Sequence, residues 1–245
     1  MPGACVTGAS SGVGAAVAQK LAADGFDLVL TARRGDRLEV LRAQLEAAFP
    51  VRAHPFAADL RDGEAVRELA RAARAALPDV SVLVLAAGHG QGQGRAGSGS
   101  AELLLASVET NLLGPARLVD ELLPDLIAGG AGTIVAIGST YALGGANPQW
   151  AGYAAAKHAL RSYAASLRAR VAEHGVRVCM VHPGSINTEF AALVNGSDAQ
   201  VLDLDLWPYH PLLAEDVAEA VRWIVASPQR VNVSELVIEP REEVR

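Results

Sequence analysis

The chain has 245 residues, 51% of them hydrophobic but only 4% aromatic, and a formal net charge of −6. That length fits one domain with a sizeable core of Ala, Val and Leu, of the kind found in α/β layers. The acidic balance and the scattered arginines exclude a basic stripe for nucleic acid or an anionic membrane, and no apolar run reaches the 18 or so residues of a bilayer span. The two cysteines, Cys5 and Cys179, fall in apolar strand-like runs, which predicts buried thiols in a reducing compartment. The six histidines show no ligand spacing, so no metal site is expected. The N-terminus is apolar but lacks a positive n-region and is interrupted by glycines, so it does not read as a signal peptide, and a cytoplasmic location is expected.

Strand-like and helical stretches alternate along the chain. GACVTG from 3 is followed by a helix over about 12–24, then DLVLTA from 27 and a charged helix over about 36–48. VRAHPFA from 51, a helix over 62–76, VSVLVLAA from 80 and a long helix over about 101–127 come next. TIVAIG from 133, a helix of about five turns beginning near Tyr153, VRVCMVHP from 176, a helix after Glu215 and ELVIEP from 235 complete the series. Seven strands with intervening helices predict a doubly wound parallel sheet, a Rossmann fold in a single domain. The near-continuous apolar strands suit a sheet covered on both faces. Two stretches break the alternation: a glycine-rich loop over 88–100, and a segment over about 185–210 without clear periodicity. Ligands bind beyond the carboxyl ends of such strands, so both overhang the expected site, the second as a substrate loop.

At the first strand-to-helix junction, TGASSGVG runs through Thr7, Gly8, Ser10, Ser11, Gly12, Val13 and Gly14. Glycines there permit a tight turn and close approach of the backbone, and the N–H groups at the helix start can hold a pyrophosphate. The spacing is Gly-x-x-x-Gly-x-Gly, not the Gly-x-Gly-x-x-Gly of the general dinucleotide fingerprint. After the second strand come Ala32, Arg33 and Arg34, where NAD enzymes present an acidic residue to the ribose. A guanidinium clasps a 2′-phosphate that an acid would repel, so the expected cofactor is NADP(H), with Arg33 the leading contact and Arg34 beside it.

Of the 21 basic residues only Lys20 and Lys157 are lysine, and Lys157 stands four residues after Tyr153. With four tyrosines in the chain, random placement gives such a Tyr-x-x-x-Lys pair roughly 3 times in 100. On a helix that spacing puts the phenol and the ammonium on one face. A free tyrosine has a pKa of about 10, and a neighbouring ammonium lowers it by favouring the phenolate. The ordinary alternative is a surface tyrosine beside a solvated lysine.

Together these pieces resemble the short-chain dehydrogenase/reductase family in its compact single-domain form. TGASSGVG, Asp59-Leu60, AAG at 86–88, Asn111, IGS at 137–139, YAAAK and HPGSINT at 182–188 stand in the family's order. The resemblance makes Tyr153 the general acid/base and has Ser139 hold the substrate oxygen. Lys157 would bind the nicotinamide ribose and lower the phenol's pKa. Asn111, in a helix strained by Gly114-Pro115, would hold a water linked to Lys157. Asp59 and Leu60 resemble the adenine contacts, Ala87 and Gly88 complete the cofactor wall, and Pro183, Gly184, Ile186 and Thr188 resemble the nicotinamide cradle.

This sequence departs from the pattern in three places. Ser139 lies one residue farther from Tyr153 than usual, which leaves Thr140 as a second oxyanion donor. Leu85 and Ala86 stand where an Asn-rich turn is common. The C-terminus, ELVIEPREEVR, lacks the common Asp-Gly-Gly tail. The implied activity is an NADPH-dependent ketone or aldehyde reductase acting on a small molecule, with Trp150, Phe190, Trp207 and Tyr209 available to line an apolar pocket. The alternatives are an NAD(P)-dependent alcohol dehydrogenase running oxidatively and a non-catalytic nucleotide-binding sensor. The small and apolar Tyr153 helix predicts a homodimer or homotetramer.

Overall fold

The computed structural model describes residues 1–90, 100–144, 150–194 and 202–243. Most of the glycine-rich loop (91–99) and part of the substrate segment (195–201) lie outside the described residues.

Seven parallel strands, β1 (Gly3–Thr7), β2 (Asp27–Ala32), β3 (Ala53–Ala57), β4 (Val80–Leu85), β5 (Thr133–Ile137), β6 (Arg177–Pro183) and β7 (Glu235–Ile238), lie in the order β3-β2-β1-β4-β5-β6-β7. Their side chains alternate between two cores. Ala4, Val6, Leu28, Leu30, Val82 and Val84 face helices α1 (Gly12–Ala23), α2 (Gly35–Ala48) and α8 (Ala214–Ala226). Cys5, Val29, Leu83 and Leu85 face α3 (Gly63–Ala76), α5 (Gly114–Ala128) and α6 (Ala151–Val171). This two-sided burial is why the central strands read as unbroken apolar runs. Each fully buried leucine, such as Leu118, Leu122 or Leu160, contributes about 1.5–3 kcal/mol. Cys5 and Cys179 sit in different cores as free thiols, and burial pushes them up to about 12 and 11, so both stay protonated. No helix among the described residues is long and apolar enough to cross a membrane.

The strand order reverses between β1 and β4, which opens a crevice at their carboxyl ends. The long helix predicted over 101–127 is α4 (Ser100–Val108) and α5 joined by one π-helical turn, Glu109–Leu113. Gly114 follows it because a Cβ there would lie 2.8 Å from Leu60 Cβ. Pro115 has no N–H to give to the widened turn. The bulge puts Asn111, 1% exposed, at the β4 end of the crevice. α6 starts two residues before Tyr153 and closes through a 3-10 turn on Gly175, whose φ of 72° is left-handed. Within the non-periodic segment the chain forms a short helix, α7 (Glu189–Val194), and a 3-10 turn at Leu204–Leu206.

Candidate active site

A cavity of about 960 Å³ runs from the glycine turn at the end of β1 to Tyr153 and Trp207. At its first end Gly8 and Gly12 have φ of 69° and 53°, and a Cβ on Gly8 would come within 2.8 Å of the Ala86 carbonyl. A Cβ on Gly14 would overlap the Gly8 carbonyl. Only glycine lets α1 approach β1 and β4 this closely and bring its N-terminus to the cavity wall. Thr7 Oγ1 accepts from the Ala87 N–H (3.0 Å) and so ties the ends of β1 and β4 together.

Beyond β2, Arg34 turns onto the glycine turn, its Nη2 donating to Ser10 Oγ (3.0 Å) and Ser11 Oγ (2.9 Å). Arg33 is exposed at the same rim, where its charge acts on Asp59 and His89. No acid occupies position 32, and the anion that sits on Arg34 is the carboxylate of Glu189 (2.7 and 2.8 Å). The seat therefore suits an anion, and with the glycine cradle it fits the pyrophosphate and 2′-phosphate of NADP(H). Arg61 hydrogen bonds hold the Asp59 carboxyl below its usual range, while Leu60 is buried against α5.

At the other end, Tyr153 and Lys157 project from one face of α6. Lys157 is 4% exposed, donates from Nζ to the Ile137 carbonyl (2.7 Å), and lies 5.6 Å from the Tyr153 ring centroid. Burial brings its ammonium down to about 8. The phenol of Tyr153 is pushed up to about 12 by burial, against a hydrogen bond with Ser139 that favours the phenolate. Burial thus opposes, at the phenol, the lowering that the four-residue spacing predicts. Desolvation is the largest effect on the phenol, and the Lys157 ammonium is engaged with a backbone carbonyl. Ser139 stands in extended backbone just past β5, and its Oγ also accepts from the Tyr141 N–H (3.1 Å). Thr140 lines the cavity beside it, but Ser139 is the hydroxyl bonded to the phenol.

Asn111 donates from Nδ2 to the carbonyls of His89 (2.6 Å) and Ser107 (2.9 Å) and accepts from the His89 N–H (3.2 Å). Both its amide hydrogens are used, so the water expected there can be held only through a remaining Oδ1 lone pair. Pro183, Gly184, Ile186 and Thr188 follow β6 along the cavity wall. Glu243 fixes this loop, accepting from the Ser185 N–H (2.9 Å) and hydroxyl (3.1 Å). Aromatic rings close the substrate end: Trp150 stacks on Tyr141 (6.0 Å between centroids) and meets Tyr153 edge-on (5.7 Å), and Phe190 lies 5.8 Å from Tyr153.

The sequence pattern of the short chain dehydrogenases matches residues 3–198. The chain belongs to the short-chain dehydrogenase family. Serine 3-dehydrogenase of Rhizobium radiobacter is 31% identical over 237 residues, spanning 96% of this chain and 92% of that protein. Sulfoacetaldehyde reductase of Chromohalobacter salexigens is 36% identical over 245 residues, with 97% and 93% covered. Among solved structures, an alcohol dehydrogenase from the archaeon Thermococcus sibiricus complexed with 5-hydroxy-NADP superposes with a TM-score of 0.87 at 30% identity, covering 100% of this chain and 99% of that one.

In this short-chain dehydrogenase, one cavity gathers the sequence-predicted Tyr153, Lys157, Ser139, the glycine turn, Arg33, Arg34, Asp59, Leu60 and the loop after β6. Asn111 braces it from behind through His89. Of the four aromatics expected at the substrate end, Trp150, Phe190 and Trp207 line it. Tyr209 does not; its hydroxyl is hydrogen-bonded to Ser185 Oγ (2.8 Å). Sequence reasoning missed Tyr141, Glu189 and Glu243. Tyr141, two residues past Ser139, was within reach of the motif; the acids have partners 155 and 58 residues away and carry no local signal.

Proposed function

We propose that this chain is an NADPH-dependent reductase of neutral, largely apolar ketones or aldehydes, with Tyr153 as the proton donor. The observation that carries the reading is the Tyr153 phenol, hydrogen-bonded to Ser139 in the cavity that begins at the glycine turn. NADP(H) is the cofactor, and when bound it supplies the hydride. Ser139 and Tyr153 hold the substrate oxygen with two hydroxyls, and the phenol passes its proton to that oxygen as negative charge develops. Lys157, below the phenol, offsets the charge left on Tyr153 and donates to the ribose side of the cavity. A pure nucleotide sensor has no use for a Tyr–Ser–Lys cluster lining its cavity.

The preference for neutral substrates follows from the charges in the cavity. Among the described lining residues, Arg33, Arg34 and Arg61 stand at the adenine end, while the substrate end carries aromatic rings, the Glu243 carboxylate and the carbonyl-bound Lys157. Among the described residues, a carboxylate or sulfonate on the substrate finds no guanidinium there. Following NADPH absorbance with a panel of carbonyl compounds tests this. Aryl and alkyl ketones or aldehydes are expected to be turned over, with sulfonated and carboxylated carbonyls at least roughly tenfold poorer in kcat/KM, the size of one missing charge-assisted bond. A preference for the anionic compounds would overturn the substrate class.

Cofactor choice has its own check. The double substitution Ala32→Asp, Arg33→Ala places an acid where the 2′-phosphate goes and is expected to weaken NADPH binding roughly 10- to 100-fold while sparing NADH. Equal losses for both nucleotides would remove the rim after β2 from phosphate recognition. We further infer a homo-oligomer, supported by the exposed Leu104, Leu105 and Leu113 on the α4–α5 helix. The free thiols support a cytoplasmic setting.

A further inference from the structure

Glu189 opens α7 on the substrate side of the cavity, yet its carboxylate reaches across to the cofactor side. It accepts from Arg34 Nη1 (2.7 Å) and Nη2 (2.8 Å) as a two-point pair, and from Arg37 Nη1 (3.0 and 3.1 Å). Most ion pairs at a surface contribute little because water competes for both charges. This one differs in being two-pronged, shared between two arginines, and only 14% exposed at the glutamate. It also sits on the seat for phosphate itself: Arg34 Nη2, one of the two nitrogens that hold Glu189, also reaches Ser10 and Ser11 of the glycine turn. Arg34 and the other partners hold the Glu189 carboxyl down to about 2, so it is ionised at any working pH. A second contact brings the same segment to the same place. A Cβ on Gly12 would lie 3.4 Å from Thr188 Cβ, so the start of α7 rests against the turn that cradles a pyrophosphate.

We propose that Glu189 is a specificity-setting latch, whose carboxylate holds Arg34 in place of the 2′-phosphate of NADP(H) and ties α7 to the cofactor seat until that phosphate displaces it. The proposal rests on the NADP(H) reading above. Two anions cannot share one guanidinium fork at van der Waals distance without mutual repulsion, so the phosphate and Glu189 compete. NAD(H), which carries only a hydroxyl at that position, has nothing to displace the carboxylate with. Arg37 is placed to keep Glu189 when Arg34 turns to the phosphate, so α7 shifts without losing its tether. The latch therefore lowers affinity for the phosphorylated nucleotide and makes the position of the substrate-side helix depend on which nucleotide has bound.

The test is equilibrium binding of NADP⁺ and NAD⁺, without substrate, to the wild-type chain and to Glu189→Gln. Glu189 belongs to neither core, so the variant is expected to fold, which thermal melting confirms. The expected result is a roughly five- to tenfold tighter Kd for NADP⁺ with the Kd for NAD⁺ changed less than about twofold, the range for a partly buried charged pair. An unchanged or reduced preference for NADP⁺ in the variant, alongside a clear preference in the wild type, rejects the latch and leaves the cofactor reading intact. A wild-type chain that does not prefer NADP⁺ rejects the cofactor reading, and the latch with it.

Discussion

Replacing Tyr153 by Phe is expected to lower kcat about 10³-fold while leaving the Kd for NADPH within about twofold, the scale on which a positioned general acid contributes. The substitution deletes one oxygen and keeps the ring, so the contacts with Trp150, Phe190 and Tyr141 survive. The lost hydroxyl lies at the cavity and is hydrogen-bonded to Ser139, which still accepts from the Tyr141 N–H. Folding is therefore expected to hold, and the loss falls on the proton step. Stopped-flow binding of NADPH separates the two effects: activity within about tenfold of wild type would mean the proton comes from elsewhere, and Ser139 or bulk water would become the donor to examine.

The sheet and its order of helices are legible in the sequence because every central strand is buried on both faces, which leaves apolar runs such as VSVLVLAA unmistakable. The glycine turn is legible for a steric reason: Gly8 and Gly12 need left-handed φ, and Gly8 and Gly14 sit where a side chain would strike backbone. What four-residue spacing cannot convey is desolvation. It places Lys157 near Tyr153, but it cannot show that the ammonium is held by the Ile137 carbonyl or that burial raises the phenol. Nor does any local pattern mark Glu189, because its meaning lies in Arg34 and Arg37 on the far side of the crevice. The distinction between Arg33 and Arg34 is of the same kind. Both arginines lie past the end of β2 at one rim, and only the fold shows that Arg34 is the one that meets the glycine turn.

Lys157 is expected to destabilise the chain that it serves. Its ammonium falls from 10.5 to about 8 on folding because it is removed from water, a displacement that corresponds to about 3 kcal/mol against the charged form. Because the folded value lies below the unfolded one, the penalty is present in full below pH 8. It is relieved as pH rises from about 8 to 10.5, where the unfolded chain still binds the proton that the folded chain has released. Lys157→Met removes the charge and keeps the length. At neutral pH it escapes the penalty but leaves the Ile137 carbonyl without its donor, a cost of about 1–3 kcal/mol, so the net change there is small or stabilising. Near pH 10.5 the escape is worth nothing and only the cost remains, so the variant becomes the less stable protein. The difference in unfolding free energy between the two proteins should thus swing by about 3 kcal/mol between pH 7 and pH 10.5, always in the direction of the wild type as pH rises. Cys5, Cys179 and the tyrosines titrate in both proteins and largely cancel in that difference. Urea unfolding of the cofactor-free proteins at three pH values measures it, and a flat difference would show that Lys157 is not a buried charge. A site that must hold an ammonium beneath a phenol keeps the lysine at that cost, because methionine gives a sturdier chain with no cation to offset the phenolate when the proton leaves.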